Sequence, residues 1–156
     1  MKLKGVRVMS FQRDFSRKSM LFVDDNKTIQ KIIKDIVNGS QLEFNVIEAL
    51  TGEDAIEILQ NIESKCKLKI ILLDLNLPAM SGQEILEKIQ QDQNLKEIPV
   101  IVLTSSEDQD ELNELKKQGV RECYAKPFDF HVFNALVEGI LTKWLVPSEE
   151  ASHEGL

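Results

Sequence analysis

Short apolar runs alternate along this chain with stretches of helical period, and that alternation constrains the fold more than any other feature. The runs are Met20 to Val23, Phe44 to Leu50, Ile70 to Leu75 and Ile98 to Leu103, with a shorter one from Glu122 to Ala125. Between them, apolar residues recur three and four apart. One such set is Ile29, Ile32, Ile33, Ile36 and Val37; the next is Ala55, Ile56, Leu59 and Ile62. Ile85, Leu86 and Ile89 follow, then a thin stripe of Leu112 and Leu115, then Phe133, Leu136, Val137, Ile140, Leu141 and Trp144. Asn38-Gly39-Ser40, Thr51-Gly52, Ser81-Gly82, Gly119 and Pro147 punctuate the pattern, and Asp129 is placed to cap the last helix. Strands separated by helices cannot pair as hairpins. Each crossover returns the chain in the same direction, so the pattern predicts a parallel (βα)5 sheet with right-handed connections and helices on both faces.

The stretch KIILLDLNLPAMSG, Lys69 to Gly82, carries the chemistry. Its apolar run holds one carboxylate, Asp74, and a turn signal follows at once. A strand this apolar reads as buried on both faces. Open parallel sheets bind ligands beyond the carboxyl ends of their strands, so Asp74 is expected at the mouth of that crevice with its carboxylate presented to solvent. Other strands end in polar residues on the same side: Asp24-Asp25 after the first, Thr104 after the fourth, Lys126 after the fifth. Taken singly, each has a plain reading as a helix cap or a surface charge. Together they form one pocket of three carboxylates, a hydroxyl and an ammonium.

Carboxylates gathered this closely repel and raise one another's pKa, so the pocket needs a cation at neutral pH. Oxygen ligands without a nearby His or Cys select a hard ion, and Mg2+ suits a half-open site that keeps waters. With that charge offset, a phosphoryl group can approach Asp74, while Lys126 and Thr104 hold its oxygens. An Asp nucleophile gives an acyl phosphate.

These residues resemble the response-regulator receiver domain of two-component signalling. The matching pieces are LFVDDN, ILLDLNLPAMSG, IPVIVLTSS and YAKPF, in that order, over about Ser19 to Val146. The resemblance implies a flavodoxin-like, doubly wound fold with strand order 2-1-3-4-5. It implies Asp74 as phospho-acceptor and Asp24 and Asp25 as the acidic pair for Mg2+, with the backbone carbonyl of Asn76 as a further ligand. Thr104 would turn toward the phosphoryl group, and Lys126 would pair with it, held by a cis bond to Pro127. The family usually has an aromatic residue three places before the lysine; here that place is Cys123. Tyr124 comes next and should face the other way by strand alternation. Ser105 stands where the family often has Ala, and Asn76 and Ser106 stand where receivers tune acyl-phosphate lifetime.

The chain has 156 residues and a net charge of −7, unevenly spread. Lys2, Lys4, Arg7, Arg13, Arg17 and Lys18 against Asp14 give the first 19 residues +5, leaving −12 for the rest. An acidic body disfavours direct nucleic-acid binding. No run is long enough to span a membrane, and Cys66 and Cys123 lack metal or redox spacing, as expected of reduced thiols in a cytoplasmic protein. The expected organisation is a basic, disordered arm at 1–18, a receiver domain at 19–146 and a loose acidic tail at 147–156. His131 and His153 read as surface residues, and Trp144 as core or as a contact in a homodimer.

The leading functional reading is a phosphorelay switch. It takes its phosphoryl group from a histidine kinase or phosphotransfer protein and changes its protein–protein contacts, as a stand-alone regulator or a relay. One alternative is a haloacid-dehalogenase-like phosphatase, although such an enzyme carries an acid two residues past its nucleophile, where this chain has Asn76. A second is a pseudo-receiver that binds partners without regard to phosphate. The weakly anchored fourth helix predicts that the output face consists of helix 4, strand 5 and helix 5.

Overall fold

The computed structural model describes residues 18–40, 42–61, 68–105 and 107–145. Five strands and five helices alternate through them. The strands are β1 (Lys18–Val23), β2 (Phe44–Ala49), β3 (Leu68–Asp74), β4 (Val100–Thr104) and β5 (Glu122–Ala125). The helices are α1 (Lys27–Gly39), α2 (Gly52–Asn61), α3 (Gly82–Gln91), α4 (Gln109–Lys117) and α5 (Phe130–Leu145). The strands form one sheet in the order β2-β1-β3-β4-β5, and every pairing is parallel. The expected doubly wound architecture and strand order are therefore present.

Strand alternation divides the core into two layers. Leu21, Val23, Ile71, Leu73, Val100 and Val102 point to one face, where they meet α2, α3 and α4 through Ala55, Ile58, Ile85, Leu86, Ile89 and Leu115. Met20, Phe22, Ile70, Leu72, Ile101 and Leu103 point to the other, against Ile33 and Val37 of α1 and Phe133, Val137, Ile140 and Leu141 of α5. Each fully buried Leu or Ile contributes about 1.5–3 kcal/mol relative to exposure. The central strands therefore hold the sheet, and β5, half-buried along its whole length, is the weak edge.

Local chemistry sets the helix ends. The Asn26 side chain accepts from the amides of Thr28 and Ile29 and caps α1. Ser81 and Glu84 form a capping box on α3. Asp129 accepts from His131 and Val132 at the start of α5, as expected. Gly119 adopts φ 94° after α4, where an added Cβ would lie 2.6 Å from Gln90, so glycine is the residue this turn admits.

Some boundaries differ from the sequence pattern. β2 ends at Ala49 rather than Leu50, and β4 begins at Val100 because Pro99 lacks a ladder donor. Ile58 is buried in α2 although it was not assigned to the stripe. Ile62, Cys66, Ser106, His153, the basic arm through Arg17 and the acidic tail lie outside the described residues. Among those described, no helix is long and apolar enough to cross a membrane.

Candidate functional site

β1 and β3 are neighbours, so their carboxyl ends deliver Asp24 and Asp74 to the same crevice. Both are buried, at 0% and 4% exposure. The expectation that Asp74 presents its carboxylate to solvent is thus corrected: Lys126 reaches over from the end of β5 and covers it. Its ammonium lies 2.7 Å from Asp24 Oδ2 and 3.2 Å from Asp74 Oδ2. The second oxygen of each carboxylate accepts from the backbone two residues on. Asn26 N–H donates to Asp24 Oδ1 at 2.9 Å, and Asn76 N–H donates to Asp74 Oδ1 at 3.0 Å. Each acid is therefore oriented by its own turn and bridged to the other by one lysine.

Asp25 is exposed beside them, and the carboxylates of Asp24, Asp25 and Asp74 offer oxygens within 4.8 Å of one another. Thr104, at 1% exposure, ends β4, and its carbonyl accepts from Lys126 N–H at 2.7 Å, extending the sheet ladder by one step. The structure thus brings together Asp24, Asp25, Asp74, Thr104 and Lys126. Asn76 lines the rim, where its side-chain amide donates to Ser105 Oγ at 2.6 Å.

Burial pushes the Asp24 carboxyl above its ordinary range; hydrogen bonds from Lys126 and the Asn26 amide pull it back, and the charge of Asp74 adds to the rise. For Lys126, burial alone would lower the ammonium, but its hydrogen bond and attraction to Asp24, with those to Asp74, carry it above the ordinary lysine value. The lysine is therefore firmly charged, while Asp24 carries a burden that one ammonium shared between two acids does not relieve.

The bond between Lys126 and Pro127 is trans, since the described residues hold no cis peptide, so the expected cis bond is corrected. Lys126 is positioned instead by its backbone bond to Thr104 and its two carboxylate contacts. Cys123 and Tyr124 face opposite layers, as alternation requires: the thiol packs on the α2–α3–α4 side and the phenol on the α1–α5 side. Trp144 Nε1–H donates to Glu122, which also pairs with Lys143.

Two participants escaped the sequence reading. Gln30 is a polar residue at 2% exposure whose amide meets the backbone at the ends of β1 and β2. Its signal was available, since Gln30, Ile33 and Val37 are the buried residues of α1 and fall at helical spacing. Gly82 is the other. A Cβ there would lie 2.7 Å from Leu75 Cα and 3.0 Å from the Asp74 carbonyl oxygen, so α3 starts in direct contact with the turn after Asp74.

Residues 20–138 match the family described as the response regulator receiver domain. Chemotaxis protein CheY1 of Helicobacter pylori is 31% identical over 122 residues, covering 78% of this chain and 95% of that protein. Response regulator Rcp1 of Synechocystis is 32% identical over 131 residues, covering 82% of this chain and 89% of its own length. The solved Mn2+-bound form of Rcp1 superposes with a TM-score of 0.75 at 31% identity, over 82% of this chain and 94% of that one. The phosphorylated cyanobacterial phytochrome response regulator RcpA does so with a TM-score of 0.75 at 30% identity, over 83% and 94%. Sheet order, the acid cluster at the strand ends and these matches agree, and the chain belongs to the response-regulator receiver-domain family.

Proposed function

We propose that this receiver accepts a phosphoryl group on Asp74 from a histidine kinase or phosphotransfer protein and thereby switches its protein–protein contacts. The observation that carries the reading is the convergence of three carboxylates, within 4.8 Å of one another, on a lysine that touches two of them. The donor set fits a hard divalent ion. All its atoms are oxygens, and the exposed Asp25 leaves the site open on one side. Asp24, Asp25, Asp74 and the backbone carbonyl of Asn76 would hold Mg2+, which supplies charge neutralisation toward phosphoryl oxygens. The Mn2+-bound form of Rcp1 and the phosphorylated form of RcpA support both parts of this reading.

The chain's own residues supply the remainder. An oxygen of Asp74 forms the new bond to phosphorus as the donor's P–N bond breaks, and the imidazole departs. Lys126 turns its ammonium from the carboxylates to the incoming oxygens, and the Thr104 hydroxyl donates to another. The switching unit is assigned to residues 19–146 and the output face to α4, β5 and α5. We place the protein in the cytoplasm, without direct nucleic-acid contact. Family membership weighs against the phosphatase alternative, and so does Asn76, whose side chain has no acidic proton to give a leaving group.

The test is intact mass after incubation with acetyl phosphate and Mg2+, beside Asp74→Ala and a metal-free control. Gain of one phosphoryl group, absent from both controls, is the expected result. Equal gain in Asp74→Ala would refute the assignment. Partner binding that is lost in Asp74→Asn but indifferent to phosphodonor would favour the pseudo-receiver.

A further inference from the structure

Gln30 lies in the first turns of α1, beneath the acidic loop rather than in it. Its side chain is 2% exposed, and Nε2 sits 3.1 Å from the Phe22 carbonyl oxygen, 3.0 Å from that of Asp24 and 3.1 Å from that of Ala49. Three acceptors converging on one end of an amide leave no choice of orientation, because only the NH2 can face them. Its Oε1 points into the interior with no hydrogen-bond partner. A buried unpartnered carbonyl is unfavourable, so the amide is held there by what its other end does.

That other end closes a gap. The ladder between β1 and β2 makes its last step when Asp24 N–H donates to Ala49 O at 3.0 Å. Beyond it the chain turns into α1, and the carbonyls of Phe22 and Asp24 point to the same side of β1 as that of Ala49 at the end of β2. Gln30 shares its two N–H donors among these two and the Ala49 carbonyl, pinning the β1–α1 turn to the end of β2. Asp24 and Asp25 hang from that turn.

We propose that Gln30 is a positioning residue for the acidic pair: by fixing the backbone of Asp24 from beneath, it pre-sets the carboxylates for a divalent cation. This rests on the proposed function above, which makes those carboxylates the ion's ligands. Groups that orient a ligand without touching the ion commonly govern affinity by about ten- to a hundredfold.

The test is a Mg2+ titration of the full chain, followed by the backbone amide resonances around the pocket. Gln30→Met keeps length and removes the donors. Ile33→Val, which trims the core contact of the same helix, reports what general loosening does. The expected result is a Kd raised about tenfold or more in Gln30→Met and within twofold of wild type in Ile33→Val. Phosphorylation by acetyl phosphate should be slowed at low Mg2+ and recover at saturating Mg2+. Should Gln30→Met fail to fold, Gln30→Asn, whose amide falls one methylene short of the carbonyls, is read in the same way. A Gln30 variant that binds Mg2+ as wild type does overturns the inference and leaves the proposed function standing. Absence of Mg2+ binding in wild type overturns the proposed function and the inference with it.

Discussion

At the scale of single residues the pocket is under electrostatic strain. Burial raises the Asp24 carboxyl above its ordinary value of 3.8, and Lys126 only partly offsets this. An acid whose folded pKa is raised contributes stability that is full below the ordinary value and is lost as pH rises through the folded one. Asp24→Asn removes that loss while keeping an acceptor for Lys126. It should raise the melting temperature of the metal-free protein at pH 7, with the gain shrinking toward pH 4; a gain that does not change with pH would refute the account. Lys126 acts on the alkaline side, its contribution fading only as pH climbs past the ordinary lysine value of 10.5. A second prediction is steric. In Gly82→Ala the new Cβ meets backbone at Leu75 and Asp74, which cannot rotate away. The expected cost is about 1–3 kcal/mol by denaturant titration, with slowed phosphate uptake because the Asp74 turn must move. Unchanged stability would show that the turn is softer than the contact implies.

At the scale of elements, the reading from sequence succeeded where one physical rule acted alone. The apolar residues assigned to α3 are buried as expected, because a single stripe faces a single sheet. β5 matched end to end, since Glu122 to Ala125 is bounded by a turn before it and a proline after it. It faltered where a polar group was buried for its hydrogen bonds. Gln30 has no hydropathic signal, and its burial follows from backbone carbonyls that come together only in the fold. A cis bond at Pro127 was permitted by residue type and is not required by the position Lys126 takes. Carboxylate placement was legible because strand ends share one edge, but its burial under Lys126 was not, because the reach of a lysine depends on where β5 ends. α4 carries the clearest expectation at this scale. It fully buries Leu115 alone and half-buries Leu112, under a polar face. Its amides should exchange faster than those of α3 and α5, and protection should change across residues 108–125 when beryllofluoride is added with Mg2+. Identical exchange in both states would remove α4 from the output face.

At the scale of the whole molecule, the pocket and the core are one thermodynamic system. Met20 and Phe22 serve one layer while Leu21 and Val23 serve the other, so neither layer can loosen without the strands that carry Asp24 and Asp74. Unfolding should therefore be a single cooperative transition, and anything that binds the intact pocket must stabilise the entire chain. A ligand at a hundred times its Kd contributes about 2.7 kcal/mol, which for a domain of this length corresponds to roughly 5–10 °C. MgCl2 should raise the melting temperature with the logarithm of its concentration, and a chelator should reverse the effect. Asp25→Asn should flatten the dependence, since Asp25 is the exposed member of the acid cluster, and its loss disturbs the buried pair least. General ionic screening predicts the opposite pattern: NaCl at matched ionic strength would then act as well as MgCl2, because it too weakens repulsion across a chain of net charge −7. A curve for NaCl that overlays that for MgCl2 would show that the acids respond to ionic strength and do not hold an ion.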